Sequence, residues 1–498
     1  MLLLGIDIGT SSIKVSVVDA STQKTIASAQ YPEKEREIIA VKPGWAEQSP
    51  LQWWEDVKHA ILKVNATKKY DPRDIKAIGI AYQMHGLVLT DKNKNGLRNS
   101  IIWCDSRAVP FGEKAFEKIG KKRCLSHLLN SPGNFTAAKL AWVKINESSV
   151  YKKIDKIMLP GDFIALKLTG DVTTSISALS EGIFWDFKKD RLSKDVFDYF
   201  GFETSFIPEI KNVFDTHGEL LPSVAEELQF TAGIPVSYKA GDQPNNALSL
   251  NVFEPGEFAA TAGTSGVIYG VTDELQYDKQ SRINSFAHVN YSLEQKRIGV
   301  LLCINGAGIL NRWMKNHIGN LTYEEMNRLS SGVQPGSEGL LVLPFGNGAE
   351  RMLNNKMTGV QINNLDLNLH TKAHLLRAAQ EGIAFAFRYG FDIMKENNMS
   401  GGIIRAGRSN LFLSDVFTRS FVDAVGIPVE LYQCDGSVGA AIGAGLGAGF
   451  YKNRKEAFQN LKADKKIEPT NKSQYEELYE RWKKQLELQL SAVDEVTN

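Results

Sequence analysis

The chain opens on an apolar stretch, Met1-Leu2-Leu3-Leu4-Gly5-Ile6-Asp7-Ile8, that a single aspartate interrupts. It turns through Gly9-Thr10-Ser11 into a second stretch of alternating character, Ile13-Lys14-Val15-Ser16-Val17-Val18-Asp19. Alternation with period two predicts β-strands, so the pair reads as a hairpin. The pattern returns halfway along, where Ala262-Gly263-Thr264-Ser265-Gly266 opens the stretch Val267-Ile268-Tyr269-Gly270-Val271-Thr272-Asp273, with an aspartate at the same offset from the first glycine. A Gly-Thr-Ser tip presents backbone N–H groups and hydroxyls without bulk, which suits phosphate oxygens. One copy reads equally well as a favourable turn. Two copies in matched contexts point to a clamp that holds a polyphosphate from both sides.

Between the hairpins strands and helices alternate, the mark of α/β architecture. Ala77–Tyr82 and Ser100–Trp103 read as strands, the latter running into polar Asp105-Ser106-Arg107. Ser49-Pro50 starts a helix with Leu51, Trp54, Val57 and Ile61 on one face. In the second half, 373–387 reads as a helix and 402–407 as a strand entering a tight turn. The small-residue run 437–449 predicts a helix packed closely on a neighbour. Tyr475, Leu478, Tyr479 and Trp482 recur at helical spacing in the last helix, an aromatic stripe expected in the core. The lobe boundary is expected near residue 246, giving lobes 1–246 and 247–498.

A chain of 498 residues exceeds one ordinary core, in line with two lobes. The net charge of +1, from 58 basic and 57 acidic residues, gives no reason to expect nucleic acid or an anionic membrane as a partner. No apolar run approaches the ~20 residues that span a bilayer. The apolar start lacks a cationic leader and is expected to be a strand, not an export signal. The scattered Cys104, Cys124, Cys303 and Cys434 fit neither a zinc site nor a disulfide framework, so a reducing cytoplasm is expected. Neither G-x-x-x-x-G-K-[ST] nor a dinucleotide fingerprint occurs.

Six segments in order, 5–11, Pro43-Gly44-Trp45-Ala46-Glu47-Gln48, Gly241-Asp242-Gln243, Gly263-Thr264-Ser265-Gly266, Glu350-Arg351 and Glu381-Gly382-Ile383-Ala384-Phe385, resemble the FGGY carbohydrate kinases along almost the whole chain. The resemblance implies a duplicated actin-like (RNase H-like) fold that binds ATP and Mg²⁺ between its lobes and phosphorylates a sugar hydroxyl. It puts Asp242 beside the attacking hydroxyl as the base. Locally, a helix cap is as natural a reading of that aspartate. Asp7, a carboxylate between apolar strand residues, is expected to reach Mg²⁺. Thr10, Ser11, Lys14, Gly263 and Thr264 are expected at the phosphates, and Gly308, Gly407 and Asn410 around adenine. The adenosine loop, Ala406-Gly407-Arg408-Ser409-Asn410, departs from the Gly-Gly-Gly-Ala that many members carry.

On the sugar side the expected set is Met84, His85, Asp242 and Gln243, with Trp103 and Arg107 nearby. Gln83-Met84-His85-Gly86 resembles the tetrad of the family's xylulokinases and lacks the Arg-Glu pair of its glycerol kinases, which implies D-xylulose. Kinases for ribulose or gluconate remain open, as does an actin- or Hsp70-like ATPase, although the latter would have no use for that tetrad. A homodimer is the expected assembly.

Overall fold

The computed structural model describes residues 1–497. Its first sheet contains β1 (Leu2–Ile8), β2 (Ile13–Asp19), β3 (Thr25–Tyr31), β4 (Ile75–Tyr82) and β5 (Val236–Gly241), in the order β5-β4-β1-β2-β3. β1 pairs antiparallel with β2 in the register Asp7↔Lys14 and Ile8↔Ile13, leaving Gly9–Ser12 as the hairpin tip. The second sheet contains β6 (Glu257–Ala262), β7 (Gly266–Thr272), β8 (Asn284–Ala287), β9 (Ile298–Ile304), β10 (Ile403–Gly407), β11 (Val429–Tyr432) and β12 (Lys465–Ile467). Its order is β8-β9-β7-β6-β10-β11-β12. The segment β9-β7-β6-β10-β11 repeats β3-β2-β1-β4-β5 in order and in strand direction: two antiparallel joints, then two parallel ones. The internal repeat in the sequence is thus a repeat of topology.

Helix α1 (Pro50–Asn65) starts at Ser49, whose side chain accepts from the Gln52 N–H. Trp54, Val57 and Ile61 face inward as expected, but Leu51 is 54% exposed and Trp53 takes its place in the core. Helix α2 (Thr136–Asn146) and the short α3 (Ile176–Glu181) lie in the first lobe. Asn130 and α3 also reach the second sheet. Asn130 Nδ2 donates to Ser285 O at 2.6 Å and its Oδ1 accepts from Ser285 N at 3.0 Å. Ser177 Oγ donates to Ala287 O at 2.8 Å, and Ser180 Oγ accepts from Ala287 N at 2.9 Å. These side chains clasp β8.

Two helices join the lobes, each following the fifth strand of its repeat. α4 (Asp242–Ser249) leaves β5 and touches β6 and β7, and residue 246 lies within it. α5 (Gly308–His317) and α6 (Lys372–Glu396) belong to the second lobe, α6 running farther in both directions than 373–387. α7 (Gly436–Gly447) leaves β11 and crosses back onto β1, β2, β4 and β5 of the first sheet. It fits there because Gly5 and Gly79, paired across β1 and β4, leave bare backbone beneath it. A β-carbon on either would run into backbone atoms of α7, at Ser437 O or Ala440 O. The last helix, α8 (Lys472–Thr497), buries Tyr475, Tyr479 and Trp482 to 1% exposure or less, so the aromatic stripe is core.

Candidate active site

The carboxyl ends of β1 and β5, the first hairpin and the start of α7 come together. Asp7 ends β1 opposite Lys14, and Lys14 reaches Asp435, the N-cap of α7, at 3.5 Å. A β-carbon on Gly436 would lie 3.0 Å from Asp7 Cγ, so the glycine lets the helix start sit over the carboxylate. Desolvation first, and the Asp435 charge second, raise Asp7 to about 6. Asp242 begins α4 on the same floor. Desolvation and then the charge of Asp7 raise it to about 7, against the downward pull of hydrogen bonds from Gln243. A carboxylate near neutrality is what a general base at physiological pH requires.

The first hairpin tip is braced from the motif that begins at Pro43. Gln48 Nε2 donates to Thr10 O at 2.7 Å, Gln83 Nε2 donates to Gln48 Oε1 at 3.1 Å, and Trp103 Nε1 donates to Thr10 Oγ1 at 3.0 Å. Trp103 is 51% exposed beside that tip. Arg107, expected on the sugar side, is turned inward. Its guanidinium donates to Asp105 and Glu47 and lies 3.7 Å from the Trp45 ring centroid. It holds the loop together from inside. The polar run Asp105-Ser106-Arg107 gave no sign that its arginine folds back on its own aspartate.

Met84, His85 and the Gly241-Asp242 step come together around Glu181. A β-carbon at Gly241 would lie 2.7 Å from Met84 Cγ and 3.3 Å from Glu181 Oε2, so Met84, Glu181 and the Gly241-Asp242 step share one wall. His85 packs edge-on to Phe135, with centroids 4.8 Å apart, and 5.4 Å from Phe286 of the second lobe. Glu181 is buried, and neither carboxyl oxygen has a hydrogen-bond partner; the Tyr82 hydroxyl lies beside it without the geometry of a bond. Desolvation pushes it well above the usual carboxylate range. Nothing in the local sequence pointed to Glu181, because only the fold brings it to residue 241.

In the second lobe a cavity of about 330 Å³ opens beside the tip of the β6–β7 hairpin. Gly263 and Thr264, expected at the phosphates, and Gly308 and Asn410, expected at adenine, line it together with Asn311 and Leu411, which the sequence did not single out. A β-carbon on Gly308 would strike Gly263 O, so the start of α5 can lie flush against the hairpin. Gly407 is not part of the wall; it packs against Cys434. Asn311 Oδ1 is buried without a partner, an acceptor ready for the amino group of a base. These are the walls assigned below to the adenine nucleotide.

Among the described residues no helix is long and apolar enough to cross a membrane. Residues 2–249 match the N-terminal domain, and 258–448 the C-terminal domain, of the FGGY family of carbohydrate kinases. Xylulose kinase of Haemophilus influenzae is 29% identical over 97% of this chain and 98% of its own. The ligand-bound xylulose kinase of Lactobacillus acidophilus superposes with a TM-score of 0.90 at 20% identity, covering 99% of both chains. The gluconate kinase of the same organism superposes with 0.89, also at 20% identity and with 99% of both chains covered. At that identity the superpositions speak for the fold and not for the sugar. The two family matches, together spanning most of the chain and both hairpins, give the conclusion: the protein belongs to the FGGY family of carbohydrate kinases and is an ATP-dependent sugar kinase.

Proposed function

We propose that this kinase phosphorylates a ketopentose, D-xylulose, to D-xylulose 5-phosphate. The observation that carries the reading is the Met84-His85 turn standing on one wall with the Gly241-Asp242 step, so that sugar-recognising groups and the base face the same space. The names of relatives such as the Haemophilus influenzae xylulose kinase support it. In this reading His85 and Gln243 bond sugar hydroxyls, Met84 covers a carbon face and Trp103 closes the rim. Asp242 takes the proton as the hydroxyl oxygen forms its bond to the γ-phosphorus, and the bond from that phosphorus to ADP breaks. Thr10, Ser11, Lys14, Gly263 and Thr264 hold the phosphates, and Asn410 borders the base.

Asp7, with Asp435 beside it, is the pair of carboxylates that would hold Mg²⁺, an ion that binds a few carboxylates plus phosphates and disperses their charge. We take 1–246 and 247–498 as the two working lobes, with α4 as their joint. The four cysteines are free, which suits a reducing cytoplasm. The homodimer remains a proposal, to be measured by light scattering.

Release of ADP with D-xylulose, D-ribulose, gluconate and glycerol tests the reading. D-Xylulose gives the highest kcat/KM; a rival better by about tenfold overturns the assignment. Gluconate is the rival to watch, because Arg351 lies beside the Phe135 ring and its charge reaches His85, where a sugar carboxylate would find a partner.

A further inference from the structure

The sugar-side turn rests on a residue in a costly conformation. His85 has φ of 62°, in the left-handed region that a residue with a β-carbon keeps only when its surroundings hold it there. What holds it is α2. The His85 carbonyl accepts from Lys139 Nζ at 2.8 Å and from Thr136 Oγ1 at 3.4 Å. Lys139 is fully buried, and among the described residues that carbonyl is its one hydrogen-bond acceptor. No carboxylate forms an ion pair with it; Asp105, Cys104, Glu181 and Arg107 are the ionisable groups around it. Desolvation lowers Lys139 to about 7, and burying an amine that has a single hydrogen-bond acceptor is costly, so its retention calls for a role.

The ring of His85 supplies that role. Its Nδ1 lies 3.2 Å from the backbone oxygen of Glu181. A carbonyl only accepts, so Nδ1 carries the proton. Burial lowers the ring to about 3 and keeps it neutral, which leaves Nε2 as a bare acceptor. Nε2 has no hydrogen-bond partner among the described residues.

We propose that Lys139 is a positioning residue for sugar recognition: by holding the His85 carbonyl it fixes the left-handed turn that presents His85 Nε2 as acceptor to one sugar hydroxyl. This rests on the sugar site proposed above. Lys139 never touches the sugar; it acts through His85.

The test uses the full-length enzyme with whichever sugar of the panel it turns over best. Lys139→Met keeps length and removes the donor. It raises the sugar KM by about tenfold or more while the ATP KM stays within about twofold. Thr136→Val, which leaves the ammonium in place, shifts the sugar KM less but in the same direction, and it carries the test if the lysine variant does not fold. In a His85→Ala background Lys139→Met adds nothing further, because the two act as one unit. Nitrogen-15 NMR of labelled histidines, with the His85 signal assigned by its loss in His85→Ala, reports the tautomer with the proton on Nδ1. An unchanged sugar KM, an equal rise in the ATP KM, additive losses in the double variant, or a proton on Nε2 overturns the proposal. A wild-type enzyme that turns over no sugar overturns the sugar site itself, and this role with it.

Discussion

Asp242 stands at a helix start, where peptide dipoles favour the ionised carboxylate, yet desolvation and Asp7 win and leave it near neutrality. Two outcomes follow. Asp242→Asn keeps the shape and can still cap a helix, so sugar affinity by calorimetry stays within a few-fold while kcat falls by about 10²–10⁴. A folded variant that keeps more than about a tenth of kcat, a loss well short of the ~10² that is the least expected of a base, removes the base. The second outcome is a pH profile. A base raised to about 7 while Asp7 is charged is protonated and idle at low pH, so kcat/KM for the sugar climbs with pH and levels no higher than about 7. Asp7 contributes to the rise, so neutralising it, with a bound cation or as Asp7→Asn, moves the acid limb to lower pH. At this scale the sequence was legible where a motif is local: Asp7 before its hairpin, Asp242 after its glycine, His85 in its tetrad. Lys139, Glu181 and Asp435 escaped because their significance lies in neighbours 54 to 421 positions away in the chain.

Among the elements, α7 shows how far a composition signal reaches. Its small residues predicted close packing, and the packing is there: Gly443 lies against the Tyr238 ring, and Ser16 Oγ and Ser437 Oγ are 2.8 Å apart. That the neighbour is the sheet of the other repeat was not legible, because the complementary glycines, Gly5 and Gly79, look like ordinary strand residues one at a time. Only the register Gly5↔Gly79 turns them into a platform. Gly79→Ala pushes a methyl group into the Ala440 carbonyl, an overpacking that costs about 1–3 kcal/mol and lowers the urea midpoint. Gly402→Ala, where a β-carbon meets nothing within 4 Å, leaves the midpoint nearly in place. The same attention to neighbours explains Leu51: the spacing put it on the apolar face, but the buried arc of α1 runs through Pro50, Trp53, Val57, Ala60, Ile61 and Val64, and Leu51 falls just outside it.

The molecule as a whole is two copies of one strand order, each sending the helix after its fifth strand toward the other's sheet. Gly-Thr-Ser hairpins in both halves, proposed above to hold the phosphates, predict closure when both substrates bind, which shuts water out from the γ-phosphate. The radius of gyration from X-ray scattering falls when sugar and a non-hydrolysable ATP analogue are present together; an unchanged profile with both bound removes the clamp. Duplication and the α/β class were legible from the paired Gly-Thr-Ser stretches. The crossing of the helices was not, because a linear boundary near residue 246 says nothing about which lobe a helix leans on. The clasp on β8 gives the joint a second effect. β8 is the last strand of its sheet, and its outward backbone groups at Ser285 and Ala287 are all taken by Asn130, Ser177 and Ser180. Those groups are what another chain would need in order to add a strand and seed aggregation. The first lobe therefore acts as a sheath for the raw edge of the second, and whatever keeps the lobes together, nucleotide and sugar included, also keeps one molecule from sticking to the next.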